Sequence, residues 1–304
     1  MSAFFESLQG LPFRGEILSV GAAVIWAIAV LLFRIIGRTV SPLALNFIKN
    51  SFAVALLLFT MLLLGQPLLP NVPLQSYLLI ALSGLIGVAL SDTLFFSCLN
   101  LLGASLTAVI DCLYSPFVIL FSFLFIGERL GTRQLLGVGL ILFALALISR
   151  SKEKGLPPRK DLVLGIILGT LAMVTLAGSI VMIKPLLARS AVLWATLWRM
   201  AAGAIVLGVI LPFHPRRQVI CRPLLSLQSW RALLPGAFLG AFISPVVWMA
   251  GMKYTLVSIA APLNQLNSIF IFVLAAVFLK EKVTKAKMAA VALATVGAFL
   301  VSWP

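Results

Sequence analysis

An all-α membrane protein, with ten transmembrane helices arranged as two inverted five-helix repeats, is the fold class this sequence predicts. Three observations predict it. Of 304 residues, 62% are hydrophobic and 10% are charged, with a mean hydropathy of +1.16. A soluble domain is about half apolar and about a quarter charged, so this chain carries more apolar surface than a core could hide from water. The apolar residues are gathered into runs long enough to span a bilayer, and the second half of the chain repeats the polar landmarks of the first.

A spanning helix needs about 20 mostly apolar residues. In the first half such runs fall at 16–37, 43–64, 76–99, 104–126 and 131–149. In the second they fall at 162–186, 191–211, 231–252, 256–279 and 285–303. Turn signals separate them: Ser41-Pro42, Gly65-Gln66-Pro67, Gly103, the stretch 127–131, and Pro212 to Pro215. Residues 151–161, with Gly155-Leu156-Pro157-Pro158, read as a linker, so 1–150 is the first repeat and 162–304 the second. No basic segment followed by a short apolar one opens the chain, so no cleavable signal is expected and the first run should remain as a span.

Moving the second half back by 153 residues brings Glu281 onto Glu128, Lys282 onto Arg129, Ser258 onto Ser105 and Gly240 onto Gly87. The same shift brings Asn264, Asn267 and Ser268 onto Asp111, Tyr114 and Ser115. For the first two helices of each half a shift of 150 serves, placing Lys184 on Arg34 and Arg199 on Lys49. Because five is odd, the second copy enters the bilayer from the opposite face. The two halves are then related by a pseudo-two-fold axis in the membrane plane, an architecture of secondary transporters whose sites lie at the midplane between the halves.

The formal net charge is +15. The basic residues sit mostly in short gaps between apolar runs, as topology determinants do, so no nucleic-acid partner is expected. Cys98, Cys112 and Cys221 show no ligand spacing. No metal and no cofactor are expected.

Ionisable groups inside a span cost about 2.5–3.5 kcal/mol each at the bilayer centre on insertion scales, and those that persist face the bundle interior. Lys49, Asp92, Asp111 and Arg199 are such groups. We call the face reached by the connections after spans 1, 3, 5, 7 and 9 side B, and the opposite face side A. At 1.5 Å per residue, Lys49, Asp92 and Asp111 lie roughly 12–13 Å below side B, and Arg199 roughly 13 Å below side A. All four therefore approach the middle of a core about 30 Å thick.

Asp111, Tyr114 and Ser115 share one face of span 4, and Asn264, Asn267 and Ser268 share the matching face of span 9. Interhelical hydrogen bonding would explain two polar stripes. Acids and bases at the same level favour a wet central cavity. Lys49 is expected either to pair with Asp92 or Asp111 or to meet an anionic group of a substrate, and Arg199 is its counterpart. A buried carboxylate at Asp92 or Asp111 makes a proton the candidate coupling ion. Trp26, Trp198 and Trp248 also fall well inside spans. Glu128 and Glu281, at the ends of spans 4 and 9, are expected to cap the next helix or pair with nearby cations.

Two other classes fit less well. An intramembrane aspartyl enzyme would pair Asp92 with Asp111, but Leu90-Ser91 precedes Asp92 where such enzymes carry Gly-x-Gly. A non-transporting scaffold would leave the midplane charges without a purpose. No GxxxxGK[ST] motif supports nucleotide-driven transport.

The pattern resembles the drug/metabolite transporter superfamily, EamA type. Pro116, Gly127, Glu128, Gln134 and Gly137 fit the family's repeat, in which a proline in helix 4 precedes Gly-Glu, a polar turn and a glycine-containing helix 5. The second half keeps Glu281 and Gly297 but has Ile269, Lys280 and Ala290 at the other three landmarks. The likeness runs over about residues 15–303. It implies a ten-helix basket, alternating access, and a cavity lined mainly by helices 1, 3, 4, 6, 8 and 9. Family members export or exchange amino acids and other metabolites. On that basis Asp92, Asp111, Tyr114, Ser115, Ser244, Trp248, Asn264, Asn267 and Trp26 are the candidate substrate-binding residues, with Lys49 and Arg199 as charge partners or coupling groups.

The expectation is a secondary transporter of a small polar or zwitterionic solute in the inner membrane, in the export direction. The alternative is an exchanger or importer of a phosphorylated or cationic metabolite. The partners expected are a small-molecule substrate and the lipid bilayer; a monomer is the working expectation, and the sequence leaves oligomeric state open. Basic residues are concentrated in the side B loops, which places side B in the cytoplasm and both termini outside. The family resemblance implies both termini inside.

Overall fold

The computed structural model describes residues 13–126, 131–150, 156–215, 227–254 and 257–302. Glu128, Arg129, Cys221 and Trp303 lie outside them. The first half consists of α1 (Arg14–Ile36), α2 (Pro42–Leu63), α3 (Leu74–Leu102), α4 in two pieces (Ala104–Asp111 and Tyr114–Ile126) and α5 (Thr132–Arg150). The second consists of α6 (Arg159–Arg189), α7 (Val192–Phe213), α8 in three successive pieces (Leu227–Ala237, Phe238–Ile243 and Ser244–Tyr254), α9 (Val257–Phe278) and α10 (Lys285–Ser302). Of these helices, 7 are long and apolar enough by length and composition to cross a membrane, and shorter apolar helices run over Thr132–Leu147 and Leu263–Phe278. Each expected span finds a helix at its place.

Local chemistry sets the boundaries. Ser41 caps α2, its Oγ accepting from the Ala44 amide at 3.3 Å, and Pro42 supplies a preset φ where no amide hydrogen is needed. Gly65 follows α2 at φ 61° and Gly103 separates α3 from α4 at φ 82°, conformations that other residues adopt at a cost. Large apolar side chains such as Phe59, Leu63, Phe125, Phe213 and Phe278 stay exposed, as suits surfaces that meet lipid.

The repeat is visible in the backbone. Residues 85–90 of α3 and 238–243 of α8 are both π-helical, the same positions under the shift of 153. Gly87 at the first lets α3 approach Ser179 of α6, and Gly240 at the second lets α8 approach Ala29 of α1. Ser179 and Ala29 are themselves repeat equivalents under the shift of 150. Equivalent helices also meet directly, α2 against α7 and α5 against α10. At the latter contact a β-carbon on Gly297 would stand 2.7 Å from the carbonyl oxygen of Gly137.

The π segment of α3 leaves backbone carbonyls without helical partners, and α2 supplies one. The Asn46 side-chain amide donates to the Val88 and Ala89 carbonyls at 2.8 and 3.2 Å, and to Thr93 Oγ1 at 2.9 Å. Asn50 donates to Asn46 Oδ1 at 2.7 Å, and Lys49 donates to Asn50 Oδ1 at 3.0 Å. This chain holds α2 in fixed register on α3.

Gly84 is the point where α3 touches α7, since a β-carbon there would run into the carbonyl oxygen of Arg199. Gly84→Val should therefore destabilise the bundle by about 1–3 kcal/mol, as overpacking does. A lower midpoint of unfolding in mixed detergent micelles would register it; an unchanged midpoint would show that this contact gives way.

Candidate functional site

The two π segments and the break in α4 at residues 112–113 surround one cavity. It encloses about 970 Å³ including its opening, and Trp26, Lys49, Asp92, Asp111, Tyr114, Arg199, Ser244, Trp248, Asn264 and Asn267 all line it. Those are ten of the positions expected from sequence. Ser115 is the exception: it is buried away from the cavity and accepts from Gln265 Nε2 at 2.9 Å, tying α4 to α9. The interhelical reading is the one that describes Ser115.

Lys49 and Asp92 form an ion pair at 2.7 Å. Lys49 is 2% exposed and Asp92 18%, so the carboxylate is the more open of the two. Asp111 accepts from Asn267 Nδ2 at 2.9 Å, and Ser268 Oγ donates to Asn267 Oδ1 at 3.1 Å. The two carboxylates thus bond to separate partners rather than to each other. Ser244 donates to the Ala22 carbonyl at 3.4 Å, binding α8 to α1 at the cavity wall. Trp26 stands against Phe33 and Phe95 with ring centroids 6.4 and 5.9 Å away. Trp198 is absent from the lining: its Nε1 donates to the Leu68 carbonyl at 3.0 Å and its ring meets Tyr77 edge-on.

The lining also holds residues that sequence reasoning passed over, notably Ser91, Thr196, Gln265 and the two glycines of the π segments. Gln265 sits inside the polar run Asn264-Gln265-Leu266-Asn267, and that run was its available signal. Helices α2 and α7 join the wall through Lys49 and Arg199, beyond the helices 1, 3, 4, 6, 8 and 9 implied by the resemblance.

On side B the two halves touch. There the first piece of α4 packs on α9 and α10. Glu281, just past α9, accepts from the Ala104 amide at 2.8 Å, the Ser105 amide at 3.1 Å and Ser105 Oγ at 2.6 Å. Glu281 therefore caps α4, a helix of the other half, and not the following helix α10. A carboxylate at this N-terminus is favoured by the free amides and by the helix dipole. Arg34 of α1 adds bonds to the Leu99 and Asn100 carbonyls at the end of α3, at 2.9 and 2.8 Å. Toward side A the lining continues through Trp248 and Met249 into a groove of about 530 Å³ bordered by Lys184 of α6 and Lys253 of α8.

Comparisons with known proteins agree with this geometry. The family described as "EamA-like transporter family" matches residues 13–150 and again 163–303. A solved structure described as "Crystal structure of protein" aligns with 94% of this chain and 94% of its own at 20% identity, with a TM-score of 0.67, a likeness of fold. No curated protein matches the chain.

Proposed function

We propose that this chain, which belongs to the EamA-like transporter family, is a secondary active transporter that exports a small polar, amino-acid-like solute across the inner membrane by alternating access. The observation that carries this reading is a cavity lined by charged and amide side chains from both halves. A structural bundle has no use for charged groups facing an internal space, because each costs free energy in a low-dielectric setting. A carrier does, since polar groups there replace the water a solute sheds.

In this reading the solute enters the space between the halves, the side A groove closes, and the side B contacts open. The chain acts as a monomer, with protons as the coupling ion and Asp111 as the group that meets them. In this reading side B, which bears the denser basic loops, faces the cytoplasm. A reporter fused to the C-terminus that is active only outside the cytoplasm should give signal. Activity of a cytoplasmic reporter there would reverse the orientation.

Asp111→Asn tests the site. The amide can still offer an oxygen to Asn267, so the fold should survive, while flux in proteoliposomes should fall by at least about tenfold, the equivalent of one charged hydrogen bond. Wild-type flux from the folded variant would remove Asp111 from the mechanism.

A further inference from the structure

The repeat makes the end of α1 beside α3 equivalent to the end of α6 beside α8, yet the two places are built differently. On side B, Arg34 of α1 donates to the Leu99 and Asn100 carbonyls at the end of α3. Gly37 allows that approach, since a β-carbon there would collide with the Asn100 side chain. On side A, the shift of 150 puts Lys184 in the place of Arg34 and Leu187 in the place of Gly37. The shift of 153 puts Met252 and Lys253 in the places of Leu99 and Asn100. A leucine therefore stands where a glycine permitted contact, and a second cation stands where the first half has an amide.

The result is the side A groove of about 530 Å³. The last piece of α8 packs chiefly on α1 and α7, and the groove runs between it and α6. Ile180, Ile183, Leu187 and Met249 give it a buried apolar floor. Lys184 and Lys253 border it, and among the described residues no carboxylate lines it. Lys253 Nζ donates to the Ser190 carbonyl at 3.0 Å, which holds that ammonium near the end of α6 and uses one of its three donors. Trp248 and Met249 belong to this groove and to the central cavity, so the two share a wall.

We propose that this groove binds an anionic phospholipid, with the phosphate between Lys184 and Lys253 and an acyl chain along Leu187 and Met252. Two cations on one apolar crevice repel each other, and an anion between them turns repulsion into attraction. The lipid supplies hydrocarbon for the floor as well as charge for the rim. A soluble anion would leave the floor wet, and a zwitterionic lipid would bring its own cation to the two lysines. Depth agrees: Lys253 is at the side A end of α8, and Lys184 is about one and a half turns before the end of α6, the level of a lipid headgroup. Binding here does not require that the chain transports anything.

The test is a lipid titration of the delipidated protein in a neutral detergent. Phosphatidylglycerol, phosphatidylcholine with the same acyl chains, and glycerol phosphate are added in turn while the unfolding temperature is followed. Phosphatidylglycerol should raise it with a concentration dependence that gives a Kd, and the other two should act far more weakly. Lys184→Gln and Lys253→Gln should each weaken that Kd about fivefold, and the double variant about twenty-five-fold. Lys184→Arg with Lys253→Arg keeps both charges and should bind at least as tightly as wild type. Arg159→Gln with Lys160→Gln removes two exposed cations from the side B end of α6 and should leave the Kd unchanged. Stabilisation by phosphatidylcholine or glycerol phosphate equal to that by phosphatidylglycerol would overturn the proposal. So would wild-type binding by the double glutamine variant, or failure of the folded double arginine variant to bind. An equal loss in the Arg159→Gln, Lys160→Gln protein would mean attraction to the basic surface at large, and would overturn it as well.

Discussion

Lys49→Ala is expected to destabilise the folded protein by about 3 kcal/mol, the low end of the range for breaking a buried ion pair, because Asp92 keeps 18% of its surface exposed. The loss has two sources. Asp92 would remain beside the cavity with its charge unanswered, and the Asn50–Asn46 bonds that serve the π segment of α3 would lose their anchor. The second source makes the prediction specific. Adding Asp92→Asn to Lys49→Ala removes the unanswered charge, so the double variant should recover part of the loss but not all of it. Unfolding midpoints of the four proteins in a double-mutant cycle measure the split. Additive effects would mean that the 2.7 Å pair contributes nothing.

Glu281→Ala should loosen the start of α4 on side B. Three hydrogen bonds to a charged acceptor would be lost at one helix start, each worth about 1.5–3 kcal/mol at most in such pairings. Cys98 provides a reporter already in place. It is fully buried beside the start of α4, with Sγ 3.8 Å from Thr107 Oγ1. In a background where Cys221 is serine, Glu281→Ala should raise the rate at which a water-soluble maleimide labels Cys98 by tenfold or more, on the order of 1.4 kcal/mol of opening free energy. Glu281→Gln, which keeps one acceptor oxygen, should fall between. Equal labelling of wild type and Glu281→Ala would mean that packing of α4 on α9 and α10, and not this carboxylate, holds the start of α4 in place.

Much of the fold was legible because its causes are local. A run of apolar residues is a span wherever it occurs, and Ser41-Pro42, Gly65 and Gly103 punctuate the chain by conformational preferences they carry with them. The repeat was legible for a related reason, since equivalent positions keep equivalent chemistry. The charges inside spans were legible as cavity-lining residues because lipid makes them costly anywhere but the interior. Ser115 shows the limit of that argument. It shares a helical face with Asp111 and Tyr114, yet one residue's rotation turns it from the cavity to Gln265. Trp198 shows it again, since depth along a helix says nothing about which side the ring takes.

The amino-acid sequence by itself determined that this protein lives in lipid, that its chain crosses in two related halves, and which few polar side chains must be sheltered. Those follow from the free energy of moving each side chain between water and hydrocarbon, which needs no neighbours to evaluate. Partnership was decided only by the tertiary structure. It assigned Lys49 to Asp92 and Glu281 to the start of a helix in the other half, and gave Arg199 a hydroxyl, that of Ser179, as a hydrogen-bond partner. Hydrogen bonds and ion pairs form or fail within a few tenths of an ångström, and distances of that kind exist only after helices far apart in the chain have packed.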